Sequence, residues 1–231
     1  MLRFIRFFFI LALIIQSGQG YGQVLYYIKG TVDFMDIIDR RKLLEEKPQK
    51  EYTGSPYLNE EFVKGELYYN HQYVYQDIQL RYNIYNDAIE YLNKRNGVAY
   101  SLDANDKIDM AIIGIDTFVV DSIRCGKKLR KCYFKMLTDG KIRLLVKMRV
   151  VLIPRKNEQL YTAATLAKFA RNADTYYVRV GRKAPRKTKN IKSLIALINN
   201  RKNALTVYYK KGKLRNKPED MARLIDYYES L

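Results

Sequence analysis

Between residues 62 and 152, apolar and polar side chains alternate in short runs separated by turn residues. Alternation at period two sends one side chain to the core and the next to water, as in a half-buried β-strand. The runs predict strands at 62–69, 73–82, 88–92, 98–102, 106–113, 117–124, 132–137 and 141–152. Asn70-His71, Asn86-Asp87, Asn96-Gly97 and Asp139-Gly140 supply turns between them. Asn96-Gly97 is the sharpest signal, because both residues tolerate the positive φ of a type I′ hairpin turn. Residues 154–174 break the rhythm and read as a long connection before a last strand at 175–180. Strands at intervals of about ten residues imply an antiparallel sheet, a roll or an open barrel.

The period then turns helical. Ile191, Leu194, Ile195, Leu197 and Ile198 share one face, with Asn190 or Ser193 as the N-cap. Residues 204–211 predict a second helix that Gly212 stops. Pro218, Glu219 and Asp220 open a third, with Met221, Leu224, Ile225 and Tyr228 as its apolar stripe. The expected fold is α+β, with an antiparallel β-domain at 54–180 followed by C-terminal helices in a basic region at 181–231. Ahead of it, 23–53 form an extension with a strand-like VLYYIKG and a charged stretch at 36–46.

The first 22 residues predict export. Arg3 and Arg6 precede an unbroken apolar run at 7–15, and a small, polar stretch follows. Gly18 with Gly20, or Gly20 with Gly22, provides the small residues that a signal-peptide cut requires; the second choice makes Gln23 the new N-terminus. Nine apolar residues are too few for a membrane-spanning helix, which needs about 20. No later stretch reaches that length, so no transmembrane helix is expected after signal removal. The expected location is the periplasm or the outer-membrane surface.

Charge divides the chain. Residues 1–115 hold 13 Lys and Arg against 15 Asp and Glu, whereas 116–231 hold 29 against 9. The C-terminal half therefore carries a net +20, concentrated in runs at 124–131, 182–192 and 210–217. Such asymmetry implies an anionic partner. In an exported protein that partner is an anionic membrane surface or the acidic face of an outer-membrane protein complex, and nucleic acid is not expected. Composition adds 21 Tyr and no Trp. Tyr68, Tyr69, Tyr73 and Tyr75 fall in strand-like runs, as suits a β-former; a glycan-stacking surface is the alternative. Cys125 and Cys132, with six residues between them, are a candidate disulfide outside the cytoplasm.

Two segments carry a resemblance. GSPYLNEEFVKG at 54–65 and LRYNIYND at 80–87 resemble motifs of a family of exported cell-envelope proteins common in Bacteroidota. The Lys-rich helical end, closing on Tyr227-Tyr228, is similar as well. The resemblance implies an envelope location and a β-then-α layout, and it implies no activity.

The residues offer little catalytic chemistry. His71 is the single histidine and falls in a predicted turn, so a His-rich metal site is excluded. No G-x-S-x-G elbow, P-loop or G-x-G-x-x-G occurs. The stretch from Asp103 to Asp106 lacks the glycine and closing glutamate of a calcium loop. No metal, cofactor or catalytic residue is assigned. The expectation is a non-enzymatic interaction protein that docks through Arg182, Lys183, Arg186, Lys187, Lys189 and Lys192. The rival is a glycan-binding module or glycan hydrolase using the tyrosine-rich strands.

Overall fold

A computed structural model describes residues 26–29, 52–105, 107–155 and 165–231. The expected signal segment and the charged stretch at 36–46 lie outside these residues. The fold is α+β: one open sheet, mostly antiparallel, with three C-terminal helices. Among the described residues the sheet has twelve strands. They are β1 (Tyr26–Lys29), β2 (Tyr52–Thr53), β3 (Val63–Tyr69), β4 (Tyr73–Asn83), β5 (Ala88–Asn93), β6 (Val98–Asp103), β7 (Ile108–Ile113), β8 (Asp116–Cys125), β9 (Lys128–Met136), β10 (Ile142–Ile153), β11 (Ala167–Val180) and β12 (Arg186–Thr188). The helices are α1 (Ile191–Ile198), α2 (Lys202–Lys211) and α3 (Pro218–Ser230).

Two meanders make the sheet. β3 to β6 run side by side, and the chain then crosses back so that β7 pairs with the free edge of β3. From β7 a second meander runs out to β12. β1 adds in parallel to β4, and β2 in parallel to β11, so part of the 23–53 extension belongs to the sheet. β12 also joins it, which carries the sheet past residue 180 into the basic region.

The sheet curls. The Tyr133 hydroxyl on β9 donates to the carbonyls of Leu102 and Asp103 at the end of β6, both at 3.2 Å. Five of the six residues of β5 are buried, so both of its faces are covered. Tyr75, Tyr82, Tyr91 and Tyr133 fill this interior with Leu67, Ile78, Leu80 and Phe118. Burying each large apolar side chain contributes about 2 kcal/mol. Tyr69 and Tyr75 thus face the core, while Tyr68 and Tyr73 are half-buried. Tyr52 and Tyr85 are exposed, and both pack edge-on against Phe169.

Several expectations hold and some do not. In α1, Asn190 is the N-cap and Ser193 reciprocates: Ser193 N–H donates to Asn190 Oδ1 at 2.8 Å, and Asn190 N–H donates to Ser193 Oγ at 3.1 Å. Ile191, Leu194, Ile195 and Ile198 bury against Ile142, Leu144 and Val178, whereas Leu197 is only half-buried. At 93–98 the two-residue turn does not form. Asn93 pairs with Val98 around a four-residue loop in which Gly97 alone, of the Asn-Gly pair, has positive φ. Side chains decide this outcome: Asn93 Oδ1 accepts from Arg95 N–H and Asn96 Oδ1 from Val98 N–H. The long connection expected at 154–174 is also shorter, because β11 starts at Ala167 and pairs with β10 out to Ile153. Its charged residues Lys168, Arg171 and Asp174 hid the strand, since this stretch is solvated and lacks the apolar alternation.

Candidate functional site: a cationic ribbon, edge and cleft

The long β8–β9 hairpin outruns its neighbours. β7 pairs with β8 only as far as Val119, and β10 pairs with β9 only at Lys135 and Met136. Six further residue pairs, from Val120–Tyr133 to Cys125–Lys128, continue as a two-stranded ribbon. The ribbon folds over the outer face of the sheet. Its Ile123 and Cys132 bury with Phe134 and Leu145, and Tyr177 of β11 packs on them. Phe134 and Tyr177 meet edge to face at 5.4 Å. Asp121 Oδ2 accepts from Arg179 Nη1 at 2.8 Å, tying the ribbon to β11.

This fold-over brings two basic runs together. Tyr177 packs against the ribbon residues Ile123 and Cys132, and this burial raises its hydroxyl above its ordinary pKa. Directly across β12 from Tyr177 is Lys187. Arg124, Lys127, Lys128, Arg130 and Lys131 on the ribbon are all exposed. So are Arg182, Lys183, Arg186, Lys187, Lys189 and Lys192 at and beyond β12. None of these eleven side chains forms an ion pair with another described residue. Leu129, 69 % exposed, stands among the cations at the ribbon tip. The third run borders α1, because Asn216 Oδ1 accepts from Ile191 N–H at 3.1 Å, and Lys213, Arg215 and Lys217 are exposed.

Between the ribbon and the β3–β4 turn lies a cleft of about 530 Å³. Lys107, Lys131, Arg143 and Arg179 line it, with Asp109, Asp121, His71, Asn70 and Ser122. Asp121 holds Arg179, and Asp109 holds the β3–β4 turn by accepting from the His71 N–H at 2.6 Å. His71 Nδ1 also sits 3.0 Å from Asp109 Oδ1, with a side chain 72 % exposed, on a turn where Asn70 and His71 both have positive φ. Arg143 and Arg179 fell in strand-like runs of the sequence. Only their adjacency across β10 and β11 reveals them as partners in a cleft.

The two cysteines do not pair. Cys125 lies opposite Lys128 and Cys132 opposite Asp121, so four strand positions separate them. That is roughly 13 Å along an extended strand, beyond the 7 Å or so that a disulfide spans. Both are free thiols: Cys125 is exposed and Cys132 is buried. The expected loop closure fails because the hairpin turns at Gly126-Lys127, beside Cys125, instead of midway between the two cysteines.

The two resembling motifs meet each other rather than this cleft. Tyr57 bridges to Asn83. The Arg81 guanidinium lies 3.7 Å from the Tyr57 ring centroid and 4.3 Å from that of Phe62. Its Nε donates at 2.6 Å to Glu90, a carboxylate 1 % exposed that also accepts from Asn83. Stacked on Tyr57 and Phe62, and bonded to Glu90, the Glu60 carbonyl and the Tyr57 hydroxyl, the half-buried Arg81 fastens the first motif onto β4. The motif glycines have steric reasons. A Cβ at Gly54 or Gly65 would lie 2.2 Å from the carbonyl oxygen of Phe169 or Ile112 respectively.

Among the described residues no helix is long and apolar enough to cross a membrane. Comparison with protein-family models, with curated proteins and with solved structures finds no match to this chain.

Proposed function

We propose that the protein is a non-enzymatic component of the cell envelope that docks on an anionic lipid surface through its basic C-terminal half. The supporting observation is the fold-over of the ribbon, which brings together two runs of exposed cations, unpaired among the described residues, with an exposed leucine at the ribbon tip. Cations near phosphate-bearing lipids contribute about 1 kcal/mol each. A leucine carried between them enters the head-group boundary, which an acidic protein face does not require. Export, in this reading, rests on the segment at 1–22 and on the resemblance to exported envelope proteins.

Fractionation of cells expressing the native protein tests the reading. Recovery with membranes at low salt and release at high salt is the expected result, because screening shortens charge contacts to about 8 Å at physiological ionic strength. Reversal of Arg186, Lys187 and Lys189 to Glu is expected to move the protein to the soluble fraction. Unchanged membrane recovery of that variant counts against the reading. Capture by one acidic envelope protein, with no binding to lipid, would transfer the docking to a protein partner.

A further inference from the structure

We propose that the cleft between the ribbon and the β3–β4 turn is a binding site for a phosphomonoester group. It lies on the cationic face of the docking reading and shares Lys131 with it, whereas Lys107, Arg143 and Arg179 belong to the cleft alone. Four cationic side chains, Lys107, Lys131, Arg143 and Arg179, face it with two carboxylates, Asp109 and Asp121, a formal balance of +2 before His71 is counted. A phosphomonoester carries nearly two negative charges at neutral pH and so matches that balance. Each carboxylate already has its own task. Asp121 orients Arg179 through the 2.8 Å contact, and Asp109 accepts the His71 N–H at 2.6 Å. Lys107 and Lys131 form no ion pair with another described residue, and the partner of Arg143 is the exposed Asp139, outside the cleft lining.

The donors suit a tetrahedral oxyanion. Arg143, bonded to Asp139 through Nε, keeps its paired Nη groups for a ligand; Arg179, bonded to Asp121 and to the Gly181 carbonyl through Nη1 and Nε, offers Nη2; and two ammoniums add point charges. Asn70 and Ser122 supply neutral polar groups at the rim. A volume of about 530 Å³ exceeds the need of phosphate alone and falls within the range of small-ligand sites, so the phosphate belongs to a larger molecule. That molecule is either a soluble phosphorylated compound or a lipid with a monoester head group. The chemistry at the cleft is the same for both.

The test titrates the full-length mature protein with inorganic phosphate by calorimetry at constant ionic strength. Saturable binding is expected, weakened about tenfold in the double variant Lys107→Gln/Arg143→Gln, because two charge-assisted contacts are lost. The docking variant Arg186→Glu/Lys187→Glu/Lys189→Glu is expected to bind phosphate within about twofold of the native protein, since its sites lie outside the cleft. Circular dichroism of each variant confirms the fold. Vesicles of phosphatidylcholine doped with phosphatidic acid then separate the sources. Lower vesicle affinity in the cleft variant assigns a lipid monoester, and unchanged vesicle affinity with weaker phosphate binding assigns a soluble one. Absence of saturable phosphate binding, or equal affinity in the native protein and a folded cleft variant, overturns the site. Either negative result leaves docking through β12 standing, because that reading is tested by the other variant.

Discussion

Asp87 and Lys147 form an ion pair across the seam where β9 and β10 part, and together they replace a piece of the ladder. Tyr133 N–H donates to Asp87 Oδ1 at 3.3 Å, and Tyr133 carbonyl accepts from Lys147 Nζ at 3.1 Å. Asp87 also accepts from the Tyr82 hydroxyl at 2.8 Å. The turn after β4 thereby reaches the strand that leads into the ribbon. Removing one partner strands a largely buried charge together with a backbone group, a loss of about 3 kcal/mol. Asp87→Ala is expected to lower urea stability by that amount. Asp87→Ala/Lys147→Met is expected to recover much of it. A double variant less stable than the single one contradicts the assignment.

Gly65 is the second prediction. Its Cβ position lies 2.2 Å from a backbone oxygen that cannot move without shifting β7. Gly65→Ala is expected to destabilise by about 3 kcal/mol. Gly126 at the ribbon turn has φ +63° and open space around it, so Gly126→Ala loses only about 1 kcal/mol to backbone strain. Chemical denaturation of both variants checks the contrast, and equal losses refute it.

Thiol labelling distinguishes the cysteines. In the folded protein Cys125 is expected to react rapidly with a maleimide, while Cys132, 3 % exposed, reacts only after denaturation. Protein carrying no reactive thiol under denaturing conditions would restore the disulfide expected from spacing.

Alkaline stability follows from the same residue. Burial pushes the Cys132 thiol up from 9.0 to about 11, with Lys147 opposing and Asp87 assisting. A raised folded-state value means that the native state holds its proton longer than the unfolded chain. Its contribution is complete below pH 9 and is lost as pH rises from 9 to about 11, amounting to about 3 kcal/mol. Cys132→Ala is expected to flatten the stability curve between pH 9 and 10, before the buried tyrosines add their own dependence. An unchanged slope there removes Cys132 as the cause.

The sequence carried the strands whose faces alternate, and the helices whose stripes and caps were visible around Ile191 and Pro218. It hid the first half of β11, whose charged side chains face water, and the true turn at 93–98, which asparagine side chains decide. The basic runs were legible as charge. Their meeting was not, because no local pattern says that a hairpin folds over β11 and ties Asp121 to Arg179. The cleft stayed hidden for the same reason: Lys107, Arg143 and Arg179 are far apart in the chain and look like ordinary strand or turn residues.

Co-sedimentation of the purified mature protein with vesicles tests the central claim most directly. Anionic phosphatidylglycerol vesicles are compared with neutral phosphatidylcholine vesicles, at low and high salt. The account predicts pelleting with anionic vesicles at low salt, release at high salt, and loss of pelleting in Lys127→Glu/Lys128→Glu and in the β12 reversal variant. Equal recovery with neutral vesicles, or full binding by both variants, would contradict docking through the ribbon and the β12 edge.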